Sequence, residues 1–390
     1  MTKKLKIFII AGEDSGDMMG AKIMAELKNR NIPIEFSGIG GNKMITLGFQ
    51  SLFPMKELSI MGFIEILPQI FKILRRIKQT VIFIKNIKPD IILTIDSPDF
   101  CFRVINKITK KEFSNVKKIH LVAPSVWAYR PKRAQKIAKL YDLLLALLPF
   151  EPPHFEKHQL KTKFIGHHAA EKSQEMAQKI TKKNIAEIKE KYKIKKNEEV
   201  ICITAGSRVG EIKKIMPEII EALDILMKKH QNIKPIFLVT KNNEQIIKDY
   251  LEKFGHKSLI IDSDQKYEIF SISKFSIAKS GTNNLEMLTF GLPIITIYKA
   301  NYLTYLFVKT IAKVRFANLV NIAANKEIVP ELIQKNCNSK KIAEKAAILL
   351  LDEKLLKQQI IETKKIVQSF IKKKSSFATS ATNEILNFID

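Results

Sequence analysis

Cysteines are few in this sequence, repeats are missing, and the apolar run near its beginning is short. The three cysteines, Cys101, Cys202 and Cys337, lie far apart and fit no metal-binding spacing, which is typical of a reducing cytosol. The run over residues 5–11 turns polar too soon for a transmembrane helix, and no signal-peptide cleavage pattern follows it. We therefore expect a cytoplasmic protein that is soluble or peripheral to a membrane.

Acidic residues are also scarce relative to basic ones. The chain has 66 Lys and Arg against 39 Asp and Glu, a net charge of +27. Such a balance is typical of proteins that bind nucleic acid, an anionic membrane or a phosphorylated substrate. The lysines are spread along the chain, however, which favours diffuse surface charge over a dedicated binding patch. The 46% of hydrophobic residues excludes a wholly disordered chain, and the length of 390 residues predicts two α/β domains.

Short apolar runs alternate with longer amphipathic segments along two successive parts of the chain, which predicts parallel strands joined by crossover helices. The first part contains runs at 5–11, 33–39, 90–95, 117–123, 142–148 and 162–166. The second contains runs at 199–205, 234–240, 258–263, 275–281 and 292–298. A polar helix over 171–192 separates them, with a boundary near 167–175. We predict two doubly wound sheets followed by Lys-rich helices from about residue 340.

Acidic residues follow two strands of the first predicted sheet, where ligands of open α/β sheets bind. Glu13 lies in a turn of small residues that opens the first helix, and Asp96 directly follows a strand, where a general base belongs. The structural alternatives are that Ser15 or Asp17 caps the first helix and that Asp96 belongs to a helix-start turn. We favour a functional role for Asp96 and leave Glu13 open between the two roles.

Aromatic and basic residues follow a third strand of this half. Trp127 and Arg130 lie in the segment PSVWAYRPKR (124–133). In such a segment an aromatic ring can pack on a sugar or acyl chain while a cation binds a phosphate. The structural alternative is that Trp127 belongs to the core. The segment 55–87 is apolar and almost purely basic, which suits an anionic membrane surface or a fatty acyl chain. It equally suits crossover helices packed on the sheet. We favour core packing for most of it and leave the loop near 60–63 for lipid.

Two turns in the second half combine small residues with a helix start. Arg208 ends the turn 205–208 and is suited to pair with phosphate oxygens. Glu286 follows the turn 280–282 by one helical turn, where its carboxylate is suited to accept hydrogen bonds from ribose hydroxyls. The structural alternative for each is a capped turn, and we favour function because the turns recur. The DxD at 262–264 is interpreted as a turn. The histidines at 154, 158, 167 and 168 lack the spacing of a metal site.

Segments in both halves resemble lipid-A-disaccharide synthases, in the same order and over nearly the whole chain. The segments that carry the resemblance are AGEDSGD (11–17), SGIGGNKM (37–44), IMGFIEIL (60–67), DSPDF (96–100), PSVWAYRPKR (124–133), LPFEP (148–152), FIGHH (164–168), GSR (206–208), SGTNNLE (280–286), NLV (318–320) and VPELIQ (329–334). Asp14, Ala205 and His168 depart from the pattern of the family, which usually has a small residue, a proline and a proline there. These departures soften the local geometry but remove no candidate catalytic group.

The resemblance implies the GT-B fold, with two Rossmann-like doubly wound parallel-sheet domains facing across a cleft and a helical C-terminal tail. The expected domains are an acceptor and lipid domain at 1–168, a UDP-sugar domain at 169–355, and helices at 356–390 that cross back to the first domain or swap in a dimer. It also implies an inverting, metal-independent transfer without a cofactor, from UDP-2,3-diacylglucosamine to 2,3-diacylglucosamine 1-phosphate (lipid X). The products are lipid A disaccharide 1-phosphate, with a β-1′,6 linkage, and UDP.

Residue roles follow from the motifs together with this resemblance. Asp96 is the expected general base, and Glu13 positions the acceptor or shares that role. The expected contacts to the donor UDP-sugar are Gly206, Ser207, Arg208, Ser280, Gly281, Thr282, Glu286 and, by resemblance alone, Asn318. The expected contacts to the acceptor and its acyl chains are Ser15, Met61, Phe63, Trp127 and Arg130. No metal ligand is expected.

The expected location is the inner face of the inner membrane, on anionic lipid, with a homodimer as one possible assembly. Two alternatives stay open at this point. One is another nucleotide-sugar enzyme of the same fold, such as a UDP-N-acetylglucosamine 2-epimerase, which would act on sugars without acyl chains. The other is a basic nucleic-acid-binding protein, although no aromatic-basic RNA motif or zinc module favours it.

Overall fold

The computed structural model describes residues 4–58, 63–108, 113–256, 258–301, 310 and 314–389, without the side chains of 63–69. The chain divides into two compact units. The first comprises Met1–His168 together with Lys372–Asp390, and the second comprises Ala169–Ile371. The helices expected as one segment at 356–390 are therefore divided between the two units at residue 372.

Six parallel strands form the sheet of the first unit within the described ranges, in the order β2-β1-β3-β4-β5-β6. They are β1 (Leu5–Ala11), β2 (Ile34–Ile39), β3 (Ile91–Ile95), β4 (Lys117–Leu121), β5 (Leu143–Ala146) and β6 (Lys161–Phe164). The helices are α1 (Asp14–Lys28), α2 (Asn42–Ile45), α3 (Phe63–Ile87), α4 (Pro98–Asn106), α5 (Arg133–Ala138) and α6 (Pro152–Glu156). The strand order reverses between β1 and β3, which is where open α/β sheets bind ligands.

The sheet of the second unit also has six parallel strands among the residues described, in the order β12-β11-β10-β7-β8-β9. Its strands are β7 (Glu199–Thr204), β8 (Ile233–Val239), β9 (Leu259–Asp262), β10 (Ser273–Lys279), β11 (Ile294–Tyr298) and β12 (Glu331–Ile333). The helices are α7 (His168–Lys179), α8 (Lys182–Lys191), α9 (Val209–Lys229), α10 (Glu244–Lys253), α11 (Lys266–Ile272), α12 (Thr282–Phe290), α13 (Leu319–Ala324), α14 (Ser339–Leu351) and α15 (Glu353–Val367). Here the order reverses between β7 and β10.

The last helix, α16 (Phe377–Leu386), packs against α1 of the first unit. Its apolar stripe, Phe377, Ala381 and Ile385, is buried in the same cluster as Met19 and Ile23 of α1. The spacing of four residues puts the three side chains on one face of the helix, and that face completes the core on one side of the sheet. The first unit is thus built from both ends of the chain.

The helix α3 combines a buried and an exposed apolar face. Ile77 and Ile84 are buried under the sheet, whereas Phe71 is 79% exposed and Leu74 is 46% exposed. The expectation of core packing for 55–87 therefore holds at Ile77 and Ile84 but not at Phe71 and Leu74. No helix within the described ranges is both long and apolar enough to span a membrane.

Two local differences from the sequence-based expectation have physical causes. The helix expected over 171–192 is two helices. The Thr181 hydroxyl accepts from the Asn184 amide and the Asn184 side-chain oxygen accepts from the Thr181 amide, and this capping box starts α8 anew. The strand β12 was not predicted. It has three residues, too few for a recognisable alternating pattern.

Candidate functional site

The turns after β1 and β3 touch each other at the reversal point of the first sheet. A Cβ atom on Gly12 would lie 2.2 Å from Oγ of Ser97, and one on Gly16 would lie 3.3 Å from the Ile95 carbonyl oxygen. No side chain fits at position 12 without moving the β3 turn. The small residues of the first turn thus allow direct contact between the two loops.

Asp96 sits in this contact with an unusual backbone. Asp96 and Ser97 both have left-handed conformations, with φ of 53° and 43°, and the Asp96 amide donates to the Leu121 carbonyl at 3.0 Å. Consecutive left-handed residues other than glycine are strained and cluster at functional sites. Burial raises the pKa of the Asp96 carboxyl, while hydrogen bonds from the Ser97 backbone and the Ser15 side chain oppose that rise. A carboxylate in this setting is suited to accept a proton.

The other acids of the first turn have separate places. Glu13 is half-buried at the N-cap position of α1, so the structural alternative, in which Ser15 or Asp17 caps this helix, is wrong. Asp17 points instead at α2, where its carboxylate accepts from the amides of Gly41, Lys43 and Met44 at 2.8, 2.9 and 3.1 Å. Asp17 is a structural residue that joins α1 to the start of α2.

The turn after β4 carries the tryptophan. Trp127 is half-buried, and its indole Nε1 donates to Glu151 Oε1 at 3.2 Å. Glu151 is 3% exposed, and burial raises its pKa to about 7. Arg130 is exposed and lies over the ring of Tyr129. No pattern in the sequence predicts a role for Glu151, although it lies in the segment LPFEP (148–152) that carries the resemblance.

Two residues expected to contact acyl chains, Met61 and Phe63, cannot be compared with the structure. Met61 lies outside the described residues, and the side chain of Phe63 is also outside them. Beside the β1–α1 turn lies a cavity of about 900 Å³, bounded by residues 40–43 and 49–56 and by Asp14. It includes buried Phe49, Phe53 and Met55 in its lining.

The reversal point of the second sheet forms a cavity of about 270 Å³. Its lining comes from the ends of β7, β8, β9 and β10 and includes five predicted donor contacts: Gly206, Ser207, Ser280, Gly281 and Thr282. Lys266 and Lys279 add two cations. Gly281 is the N-cap residue of α12, so the positive end of that helix dipole also lies at the cavity wall. Cations and helix-terminal amides together suit a diphosphate.

The first turn of this cavity depends on glycine. Gly206 has φ of +100°, and its carbonyl accepts from Asn243 Nδ2 at 2.7 Å. Arg208, at the N-cap position of α9, has a side chain 63% exposed and 3.6 Å from Glu211 Oε1. Glu211 Oε2 lies 3.0 Å from Lys279 Nζ. Glu211 therefore lies between the two cations and helps to hold both near the turn.

Glu286 has partners in the fold. Lys266 Nζ lies 2.7 and 2.8 Å from its two carboxylate oxygens, and the Tyr267 hydroxyl donates to Oε1 at 3.2 Å. Glu286 thus anchors a cavity lysine that sequence reasoning missed, since Lys266 stands in no motif. The expected contact of Glu286 with ribose hydroxyls stays a prediction.

Asn318 is 2% exposed and bonded inside the unit. Its side chain accepts from the Val320 amide at 2.9 Å and donates to Thr296 Oγ1 at 3.0 Å, and Glu331 accepts from the Asn318 amide at 2.9 Å. Ser280 Oγ donates to the neighbouring Ala317 carbonyl at 3.1 Å. Asn318 thereby fixes a loop that braces Ser280, and its direct contact with a donor stays a prediction.

The DxD at 262–264 forms a turn, as predicted. The Asp262 carboxylate accepts from the Asp264 amide at 2.8 Å and starts a short 3₁₀ helix. Among the residues that the structure describes, no three His, Cys, Asp or Glu side chains cluster as ligands for a metal ion.

Comparison with known proteins decides the family. Residues 7–385 match the model of the family described as lipid-A-disaccharide synthetase. The chain belongs to this family. A lipid-A-disaccharide synthase from Rickettsia conorii is 42% identical over 379 residues, covering 93% of this chain and 83% of that protein. The corresponding synthase from Rickettsia canadensis is 41% identical over 383 residues, covering 98% of this chain and 97% of that protein.

Solved structures agree on the fold of this family member. A UDP-GlcNAc 2-epimerase from Neisseria meningitidis bound to UDP-GlcNAc aligns with a TM-score of 0.65 at 14% identity, covering 99% of each chain. The MnaA–UDP complex of S. aureus aligns with a TM-score of 0.63 at 17% identity, covering 99% of this chain and 96% of that one. The predicted fold class, GT-B with two Rossmann-like parallel sheets and a helical tail, is confirmed.

Membership of the lipid-A-disaccharide synthetase family also confirms the predicted activity class. The chain is a UDP-sugar-dependent glycosyltransferase of lipid A biosynthesis. The alternatives of an epimerase and of a nucleic-acid-binding protein are not favoured. The epimerases share the fold at low identity, whereas the synthases match in sequence along nearly the whole chain.

Proposed function

We propose that the enzyme transfers 2,3-diacylglucosamine from UDP to the 6-hydroxyl of 2,3-diacylglucosamine 1-phosphate. The hydroxyl oxygen attacks the anomeric carbon from the face opposite the diphosphate, and the bond from that carbon to the diphosphate oxygen breaks. The electron pair of that bond leaves with UDP, and the hydroxyl proton passes to the enzyme. The products are the β-1′,6-linked disaccharide 1-phosphate and UDP, so the anomeric configuration inverts, as in inverting glycosidases.

The observation that carries the mechanism is the half-buried Asp96 at the reversal point of the first sheet. Its pKa is raised by burial, so its carboxylate has more affinity for a proton than an exposed one. The hydrogen bond from Ser15 orients it, and the strained backbone fixes where it points. We assign Asp96 as general base and Glu13 as a group that orients the acceptor hydroxyl.

The donor diphosphate belongs to the cavity of the second unit in this proposal. Lys266 and Lys279 line it, the start of α12 forms one wall, and Arg208 stands at the edge of its first turn. Together these groups supply the positive charge that stabilises the departing diphosphate, without a metal ion. Transfer requires the sugar on this diphosphate to reach Asp96.

The acceptor belongs to the first unit, with Trp127 and Arg130 at its sugar and phosphate and the segment 55–70 at its acyl chains. The exposed face of α3 suits the membrane on which such lipids reside. Phe71 and Leu74 are exposed one turn apart, and Arg75 and Lys78 are exposed beside them. Apolar side chains flanked by cations bind anionic lipid surfaces. We place the enzyme on the inner face of the inner membrane, with a homodimer as a possible assembly.

The test is incubation with UDP-2,3-diacylglucosamine and lipid X, with and without a chelator, with detection of released UDP and of the disaccharide. We expect equal rates in both conditions, and UDP release that depends on lipid X. Asp96→Asn should abolish turnover while UDP still binds with unchanged affinity. An Asp96→Asn enzyme that keeps most of its rate would refute the base assignment, and rates that collapse with chelator would refute the metal-independent diphosphate site.

A further inference from the structure

Glu151 is a buried acid that the proposed mechanism does not use. It directly precedes α6, in the turn after β5, and only 3% of it is exposed. Glutamate is rarely buried in full, because the ionised form loses its hydration. This loss of hydration disfavours the ionised form of Glu151, and burial therefore raises its pKa to about 7. The contacts of this side chain therefore matter for what it does.

Both carboxyl oxygens of Glu151 are bonded within the first unit. Oε2 accepts from the Leu148 amide at 3.0 Å, and Oε1 accepts from the indole Nε1 of Trp127 at 3.2 Å. The Leu148 bond ties the side chain to its own turn. The Trp127 bond joins the turn after β5 to the turn after β4, across 24 residues of chain.

Trp127 is held a second time by the same turn. The ring of Phe150 meets the indole edge to face, with centroids 5.2 Å apart and planes at 86°. Edge-to-face contact is a favoured aromatic geometry. The indole is thus fixed by a hydrogen bond at its nitrogen and by a ring contact, and both partners come from residues 150 and 151.

The turn that carries Trp127 needs such support. Val122 and Arg130, near its two ends, have left-handed backbones with φ of 78° and 54°. For a β-branched residue such as Val122 this conformation is a marked outlier, which persists only where the surroundings hold it. The Asp96 amide donates to the carbonyl of Leu121, the last residue of β4, directly before this turn begins. A shift of the turn would therefore move the surface next to the proposed base.

We infer that Glu151 is a positioning residue that fixes the Trp127 indole, so that the turn 124–130 presents Trp127 and Arg130 to the acceptor in one arrangement. The inference rests on the proposed acceptor role of this turn. Glu151 touches no substrate in this picture and acts through Trp127. Loss of its hydrogen bond should weaken acceptor binding and leave the donor site of the second unit unaffected.

The chain offers a direct optical test, because Trp127 is its only tryptophan. In the full-length protein, Glu151→Gln keeps the shape of the side chain but replaces one acceptor oxygen with a donor group. The emission maximum of Trp127 should shift, and the KM for lipid X should rise about fivefold, the effect of one ordinary hydrogen bond. The KM for the UDP-sugar should change less than twofold. Glu156→Gln, an exposed neighbour on α6, is the matched control and should change neither quantity.

A double-mutant cycle with Trp127→Phe separates positioning from a general structural effect. If Glu151 acts through Trp127, Glu151→Gln should raise the KM for lipid X no further once the indole is gone. Additive effects would overturn the inference, as would an unchanged emission spectrum in Glu151→Gln. Failure of the proposed function looks different, because Trp127→Phe would then leave the KM for lipid X unchanged. In the unaltered protein, lipid X should also protect Trp127 from quenching by acrylamide.

Discussion

Replacing Glu151 by glutamine should remove one defined contribution to the pH dependence of folding in the first unit. The ordinary pKa of the group is 4.5, and burial raises it to about 7 in the folded protein. The folded state therefore holds this proton more tightly than the unfolded state. The contribution of Glu151 to the free energy of unfolding is fully present below about pH 4.5, falls as the pH rises, and levels off above about pH 7.

The size of the effect follows from the same two values. A pKa of 4.5 in the unfolded state and about 7 in the folded state corresponds to a change of about 3 kcal/mol in the free energy of unfolding. About 2 to 3 kcal/mol of this change falls between pH 5 and pH 8. Glutamine does not titrate, so the difference in stability between variant and unaltered protein should change by this amount over that range. The absolute stability of the variant also reflects one altered hydrogen bond, which is why the slope with pH is the quantity to compare.

Urea unfolding followed by tryptophan emission measures this slope in the right part of the molecule. The single tryptophan lies in the first unit, so its emission reports on the unfolding of that unit. We would compare the unaltered protein, Glu151→Gln and the exposed control Glu156→Gln at four pH values from 5 to 8. The control should follow the unaltered protein. If Glu151→Gln shows the same slope as the unaltered protein, burial does not raise the pKa of Glu151 in the folded state.

Three further predictions concern the proposed chemistry and the membrane. The turnover rate should fall as acid protonates Asp96, with a midpoint above the ordinary value of 3.8, and a rate that stays flat to pH 4 would contradict this. Lys266→Met should weaken UDP binding by about tenfold or more in calorimetry, since it removes a charged donor from the cavity; unchanged affinity would remove Lys266 from the donor site. Phe71→Ser with Leu74→Ser should reduce sedimentation with anionic vesicles, whereas Leu351→Ser, at a leucine of the second unit that is 69% exposed, should not. If both variants lose vesicle binding equally, the exposed face of α3 is not a specific membrane-binding surface.

The strands and their polar ends could be predicted because both depend on local sequence. Buried parallel strands appear as short continuous apolar runs, and the turn residues follow them directly, which was enough to single out Asp96 and the turns at 206–208 and 280–282. The caps were less predictable. Asp17 looked like a cap for its own helix, but its three donors lie 24 to 27 residues away in the chain.

The missed residues act through partners that are distant in sequence. Lys266 pairs with Glu286 across 20 residues, and nothing marks it among the 66 lysines and arginines of the chain. Glu151 is defined by its bond to Trp127, which arises only when β4 and β5 lie side by side. Such pairs are products of the sheet order, and a reading of local patterns finds the individual residues but not the bonds between them.

The return of α16 to the first unit has a consequence for synthesis on the ribosome. The second unit is encoded by one continuous stretch, so it has all of its residues before the chain is finished. The first unit lacks Phe377, Ala381 and Ile385 until they have followed the whole second unit, and the core on one side of its sheet stays incomplete until then. Domains usually fold in the order in which they emerge. Here the half that is translated first is the half that matures last.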